Sequence, residues 1–97
     1  MMEELLVEQL RNKLIDVLKR HDVKKAALFG SVARGEDTEE SDIDLLIEFE
    51  GRKSLLDLAG LQLELQDALK RPVDVLTYKS LHPRLKERIL REQVTIL

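Results

Sequence analysis

A chain of 97 residues with a formal net charge of −3 and no cysteine is long enough for one buried core but too short for a nucleotide site plus a separate acceptor-binding domain of ordinary size. The acidic balance gives no global attraction to nucleic acid, and the absence of cysteine removes both a disulfide framework and a zinc–thiolate centre. No apolar run approaches a membrane span or a signal-peptide core, so the expectation is one soluble cytoplasmic domain over residues 1–97 with any large acceptor supplied from elsewhere.

From Glu3 to Arg20, Leu6, Leu10, Leu14, Val17 and Leu18 recur at three- and four-residue steps between charges, which predicts an amphipathic helix. Val23 to Phe29 then reads as a short buried strand, closed at Gly30 by a tight turn. Between Gly35 and Ser41 there is almost nothing to bury, so this acidic stretch reads as an exposed connection to a neighbouring strand. That strand is Ile43 to Phe49, rich in branched apolar residues. Gly51 breaks it, and Ser54 with Asp57 three residues later forms a weak capping box at the start of a second long helix. Leu55, Leu58, Leu61, Leu65, Ala68 and Leu69 keep helical spacing until Arg71-Pro72 stops it. Val73 to Leu76 is a third strand, Leu81, Leu85 and Ile89 mark a last helix, and Val94 to Leu97 suggests an edge strand.

Three features carry chemistry. A glycine at a strand end followed by a hydroxyl residue lets phosphate oxygens approach backbone donors closely, and Gly30-Ser31 supplies that pair. In a strand, residues two apart share a face, so Asp42 and Asp44 point the same way about 7 Å apart, within reach of two divalent ions about 3.5–4 Å from one another. Two carboxylates on one strand face repel each other unless a cation sits between them. Asp74, opposite in direction to Val73 and Val75, adds a third acid from a strand placed to lie beside the second.

The stretch Gly30-Ser31-Val32-Ala33-Arg34-Gly35, the Ser41-Asp42-Ile43-Asp44 motif and the later Asp74 resemble the minimal nucleotidyltransferase (MNT) family of the DNA polymerase β-like superfamily, over roughly Val23 to Leu76. The resemblance implies an α+β, polymerase β-like fold with a small mixed sheet flanked by helices. It also implies transfer of a nucleoside monophosphate, AMP from ATP above all, with pyrophosphate leaving. By the same resemblance, Asp42 and Asp44 ligate two Mg2+ ions, Asp74 ligates the one that activates the acceptor hydroxyl, and Gly30 and Ser31 hold the outer phosphates. For Arg34, contact with phosphate and a salt bridge to the acidic connection stand equally, and Val32 stands where some relatives carry a basic residue.

Small members of this family pair with a HEPN-domain toxin encoded nearby, which implies an antitoxin that adenylylates its toxin, on a tyrosine. The alternative is an antitoxin that binds nucleotide without transferring it and acts by complex formation with its toxin. In either case a short domain with apolar helix faces suits pairing with itself or with a partner. A third reading, a small-molecule transferase resembling the aminoglycoside-modifying enzymes, needs an additional helical region that this sequence lacks and that a separately encoded subunit would have to supply. Elsewhere the plain readings hold. His21 and His82 read as helix-end histidines, Tyr78 as cover for the core edge, and Arg84, Arg88 and Arg91 as a solvated helix face.

Overall fold

The structure, a computed structural model, describes residues 2–33 and 42–97. Helix α1 (Met2–Arg20) ends at a turn where Asp22 takes a left-handed conformation, φ 59°, and the chain enters strand β1 (Val23–Phe29). A short helix α2 (Gly30–Ala33) follows where the sequence predicted only a tight turn. Strand β2 (Ile43–Phe49), helix α3 (Leu55–Leu69) and strand β3 (Val73–Thr77) come next. A 3-10 turn (Tyr78–Ser80), helix α4 (Pro83–Glu92) and the two-residue strand β4 (Val94–Thr95) complete the chain.

The strands form one mixed sheet in the order β3-β2-β1-β4. β1 runs antiparallel to both β2 and β4, while β2 and β3 are parallel because α3 carries the chain back between them. Beyond β4 the pairing continues irregularly: the Ile96 amide donates to the Ala26 carbonyl at 2.9 Å and the Ala26 amide to the Leu97 carbonyl at 3.1 Å, so the expected terminal edge strand is present.

Alternation along the strands decides what the two faces of the sheet do. Ala26 and Leu28 of β1, Ile43, Leu45 and Ile47 of β2, and Val73 and Val75 of β3 are buried together against Leu10, Leu14, Val17 and Leu18 of α1 and Leu61 and Leu65 of α3. That layer is the core, and it fixes which residues turn the other way.

α3 begins as its sequence demanded. The Ser54 amide donates to Asp57 Oδ2 at 2.8 Å while the Asp57 amide donates to Ser54 Oγ at 3.3 Å, a reciprocal capping box. At the other end Lys70 takes a left-handed conformation, φ 57°, and Pro72 prevents continuation. α4 starts with Pro83, and the His82 imidazole Nδ1 accepts from the Arg84 amide at 3.2 Å, so His82 is the helix-end residue its position suggested.

Candidate active site

The core residues Ile43 and Leu45 flank Asp44, and Val73 and Val75 flank Asp74, so both acids lie on the sheet face away from the core. The register then aligns them: on the parallel β2–β3 ladder Asp44 is the direct partner of Asp74, and on the antiparallel β1–β2 ladder Phe29 is the partner of Asp44. Phe29, Asp44 and Asp74 therefore form a row across three strands, with Gly30 one residue beyond its end. Asp42, just ahead of β2, is exposed, as is Asp74, whereas Asp44 is half-buried. Neighbouring strands are about 4.8 Å apart, and like charges directly opposite one another on a ladder are mutually destabilising, a cost that a bound cation would relieve.

Gly30 meets this row from the side. Its φ is +72°, and a Cβ at that position would stand 2.1 Å from Asp44 Oδ2 and 3.0 Å from its Cγ. Glycine is required here twice over, by the left-handed backbone and by the carboxylate lying against it. The sequence had suggested only the approach of phosphate as the reason. Gly30 opens α2, which packs against β1, β2, α1 and α4, so the Ser31 backbone lies in the first turn, one residue after the glycine that meets Asp44. Arg34 and the acidic connection lie in 34–41, outside the described residues.

The donor chemistry suits a hard cation, since carboxylate oxygens are what Mg2+ takes in addition to phosphate oxygens and water. Among the described residues no three His, Cys, Asp or Glu side chains gather closely enough to be a metal centre by themselves. What the fold provides is a shared face and a shared row for Asp44 and Asp74.

A cavity of about 600 Å3 lies at the opposite ends of the same strands, bounded by Phe49, Leu58, Val75, Tyr78 and the start of α3, and it contains none of the three acids. Two of its lysines are already engaged: Lys24 with Glu48 at 3.8 Å and Lys53 with Asp22 at 2.8 Å. Tyr78 covers this end of the sheet, donating its hydroxyl to Gln93 Oε1 at 3.0 Å and holding the Lys25 ammonium 4.8 Å from its ring centre. Desolvation pushes the Tyr78 hydroxyl above its usual range, as expected of a core-edge residue. His21 pairs with Glu64 on α3, which Arg20 also reaches at 2.8 Å. The cluster clips the end of α1 to α3, and the His21 hydrogen bond, with help from Arg20, holds Glu64 below the usual carboxylate range. Sequence reading missed that pairing, which joins residues 43 apart. It also missed the in-register pairing of the two acids, although a signal was present: Ile43-Asp44-Leu45 and Val73-Asp74-Val75 are the same apolar–acid–apolar triplet.

Residues 12–97 match the family model described as polymerase beta, nucleotidyltransferase. A Methanocaldococcus jannaschii protein provisionally named a protein adenylyltransferase is 53% identical over 91 residues, which is 94% of this chain and 98% of that one. Protein adenylyltransferase MntA of Thermococcus cleftensis is 36% identical over 81 residues, 84% of this chain and 82% of the relative. A solved structure provisionally described as a minimal nucleotidyltransferase is similar at a TM-score of 0.79 and 42% identity, covering 95% of this chain and 93% of that one. The fold recurs in a crystal structure of a toxin–antitoxin with AMP-PNP, at a TM-score of 0.79 and 24% identity over 90% of this chain and 72% of that one. It recurs also in a tri-AMPylated Shewanella oneidensis HEPN toxin in complex with MNT antitoxin, at a TM-score of 0.74 and 20% identity over 94% of this chain and 71% of that one. At those last two identities the likeness is one of fold.

Proposed function

This chain belongs to the polymerase beta nucleotidyltransferase family, and from that membership we propose that it transfers AMP from ATP to a tyrosine hydroxyl of a HEPN-domain toxin and thereby neutralises it. The observation that carries the reading is the row of Asp44 and Asp74 on adjacent parallel strands, with Gly30 against Asp44. A protein acceptor is supported by the names of the relatives, protein adenylyltransferases in two archaea. The choice of ATP and of a HEPN toxin is supported by the AMP-PNP complex and the AMPylated toxin among the proteins of like fold. The reading takes the 97 residues as a single minimal transferase domain that works in the cytoplasm, where its nucleotide is abundant.

Asp42, Asp44 and Asp74 would hold Mg2+, which when bound neutralises charge on the α-phosphate and on the departing pyrophosphate. The residues of the chain do the rest. Gly30 and Ser31 offer backbone donors at the start of α2 to the outer phosphates, and the family resemblance gives Arg34 either a phosphate contact or a salt bridge to the acidic connection. Asp74, exposed at the edge strand, orients the tyrosine hydroxyl and accepts its proton as the oxygen attacks the α-phosphorus. A new phosphorus–oxygen bond forms, the bond to the bridging oxygen breaks, and pyrophosphate leaves.

The test is transfer of label from α-phosphate-labelled ATP to the purified HEPN partner, comparing the wild type with Asp42→Asn/Asp44→Asn. The expected result is a loss of labelling of at least about 100-fold with retained thermal stability. Unchanged labelling overturns the assignment of the acids. Full neutralisation of the toxin by the variant, needed one to one, replaces transfer by occlusion.

A further inference from the structure

The outward side of α3 is apolar and carries a glycine for which the fold of one chain has no use. Leu61 and Leu65 point into the core, so the stripe diametrically opposite consists of Leu56, Ala59, Gly60 and Leu63. Leu56 is 84% and Leu63 66% exposed, and Leu55 beside them is 83% exposed. A mid-helix glycine costs about 1 kcal/mol relative to alanine. Among the described residues nothing requires it: Gly60 is absent from the positive-φ residues, and a Cβ there would meet no atom within 4 Å. What a missing side chain at the centre of an exposed apolar stripe permits is close approach of another helix.

We infer that this stripe is the contact between two copies of the chain, with the two α3 helices antiparallel about a two-fold axis between Ala59 and Gly60. The sequence is self-complementary about that point. Leu56 of one copy meets Leu63 of the other, Gly60 lies beside its own counterpart, and Arg52, ahead of the helix, comes opposite Asp67 near its end. Arg52 is an exposed cation, and the described partner of Asp67 is the equally exposed Lys70 at 3.3 Å, so both charges are available to the pairing. Antiparallel packing also sets the helix dipoles in opposition. The stripe from Leu56 to Leu63 is about 10 Å long and about 10 Å wide, well below the roughly 800 Å2 per partner of a standard interface, so the dimer is a weak, reversible one. Because α3 covers the core face of the sheet and the acids occupy the other, both sites in the dimer stay open to an acceptor.

Sedimentation velocity of the full chain over a wide concentration range tests this, together with air oxidation of single-cysteine variants, which the cysteine-free sequence makes unambiguous. The mass is expected to rise from monomer to dimer with concentration for the wild type and to stay monomeric for Leu56→Glu/Leu63→Glu with unchanged far-UV helicity. Gly60→Cys is expected to form a disulfide-linked dimer. Leu56→Cys is expected not to, since seven residues of helix, about 10 Å, separate each Leu56 from its own counterpart. A wild type that stays monomeric at every concentration, even if a HEPN partner then covers the stripe, overturns the inference. So does a dimer that survives the glutamate substitutions, or cross-linking through residue 56 and not 60, which would mean parallel helices.

Discussion

A single β-carbon at residue 30 would collide with the Asp44 carboxylate, 2.1 Å from its Oδ2, in a backbone conformation that side chains already disfavour. Gly30→Ala is therefore expected to act twice. The left-handed φ costs about 1 kcal/mol, seen as a lower melting temperature. The displaced carboxylate should reduce AMP transfer well beyond what that loss of stability explains, measured under conditions where the variant remains folded. If transfer survives while melting falls, Asp44 tolerates displacement and its place in the chemistry is wrong. The acids themselves were legible in the sequence because their pattern is local: period two along one strand, and an acid between two buried valines on another. Their alignment opposite one another, and the glycine pressed against one of them, depend on register between strands brought together by the fold.

At the scale of elements, α3 depends on its first turn. Ser54→Ala removes the oxygen that accepts from the Asp57 amide and should cost about 1 kcal/mol in thermal unfolding, whereas a change of the exposed Lys79 should not register. The same helix carries a pH signature. The Ser54 backbone amide, and then its hydroxyl, hold Asp57 below the usual carboxylate range, and the His21 hydrogen bond does the same for Glu64. With folded values below the unfolded ones, both contributions are complete above about pH 5 and are lost as the pH falls through the depressed values. Asp57 is exposed and Glu64 about one-third exposed, so the effect is screened by salt. Between pH 6 and about pH 3 the melting temperature of Glu64→Gln should fall less steeply than that of the wild type at low ionic strength, and parallel curves would show that the His21 pairing does not stabilise the fold. Helix α2 illustrates the limit of local reading. Gly-Ser-Val-Ala has weak helical preference, and a four-residue helix cannot sustain itself, so it forms only because neighbouring elements pack around it.

For the molecule as a whole, stability rests on the single layer between the sheet and the pair α1 and α3, in which Leu14, Leu18, Leu45, Leu61 and Leu65 are fully buried. Leu14→Ala should cost about 2–5 kcal/mol by leaving a cavity in that layer, read as a shift in the denaturant midpoint with unchanged slope. A loss below 1 kcal/mol would place α1 outside the cooperative unit. Because Asp44 and Asp74 point away from this layer, the proposed transfer should be lost in the same variant only in proportion to its unfolded fraction.

By itself, the sequence determined what periodicity and local punctuation encode: the long helices α1, α3 and α4, the strands, the capping box, the breaker at Pro72 and the positions of Gly30 and the three acids along the chain. The names of known proteins agree with the family that those acids and that turn suggested. Only the tertiary structure decided the strand order β3-β2-β1-β4, the pairing of Asp44 with Asp74, the press of Gly30 against a carboxylate, and the glycine-centred apolar side of α3. The physical reason is separation along the chain. Helix and strand periods are written within a few residues, whereas register and the identity of an uncovered face are fixed when segments tens of residues apart bury a common core.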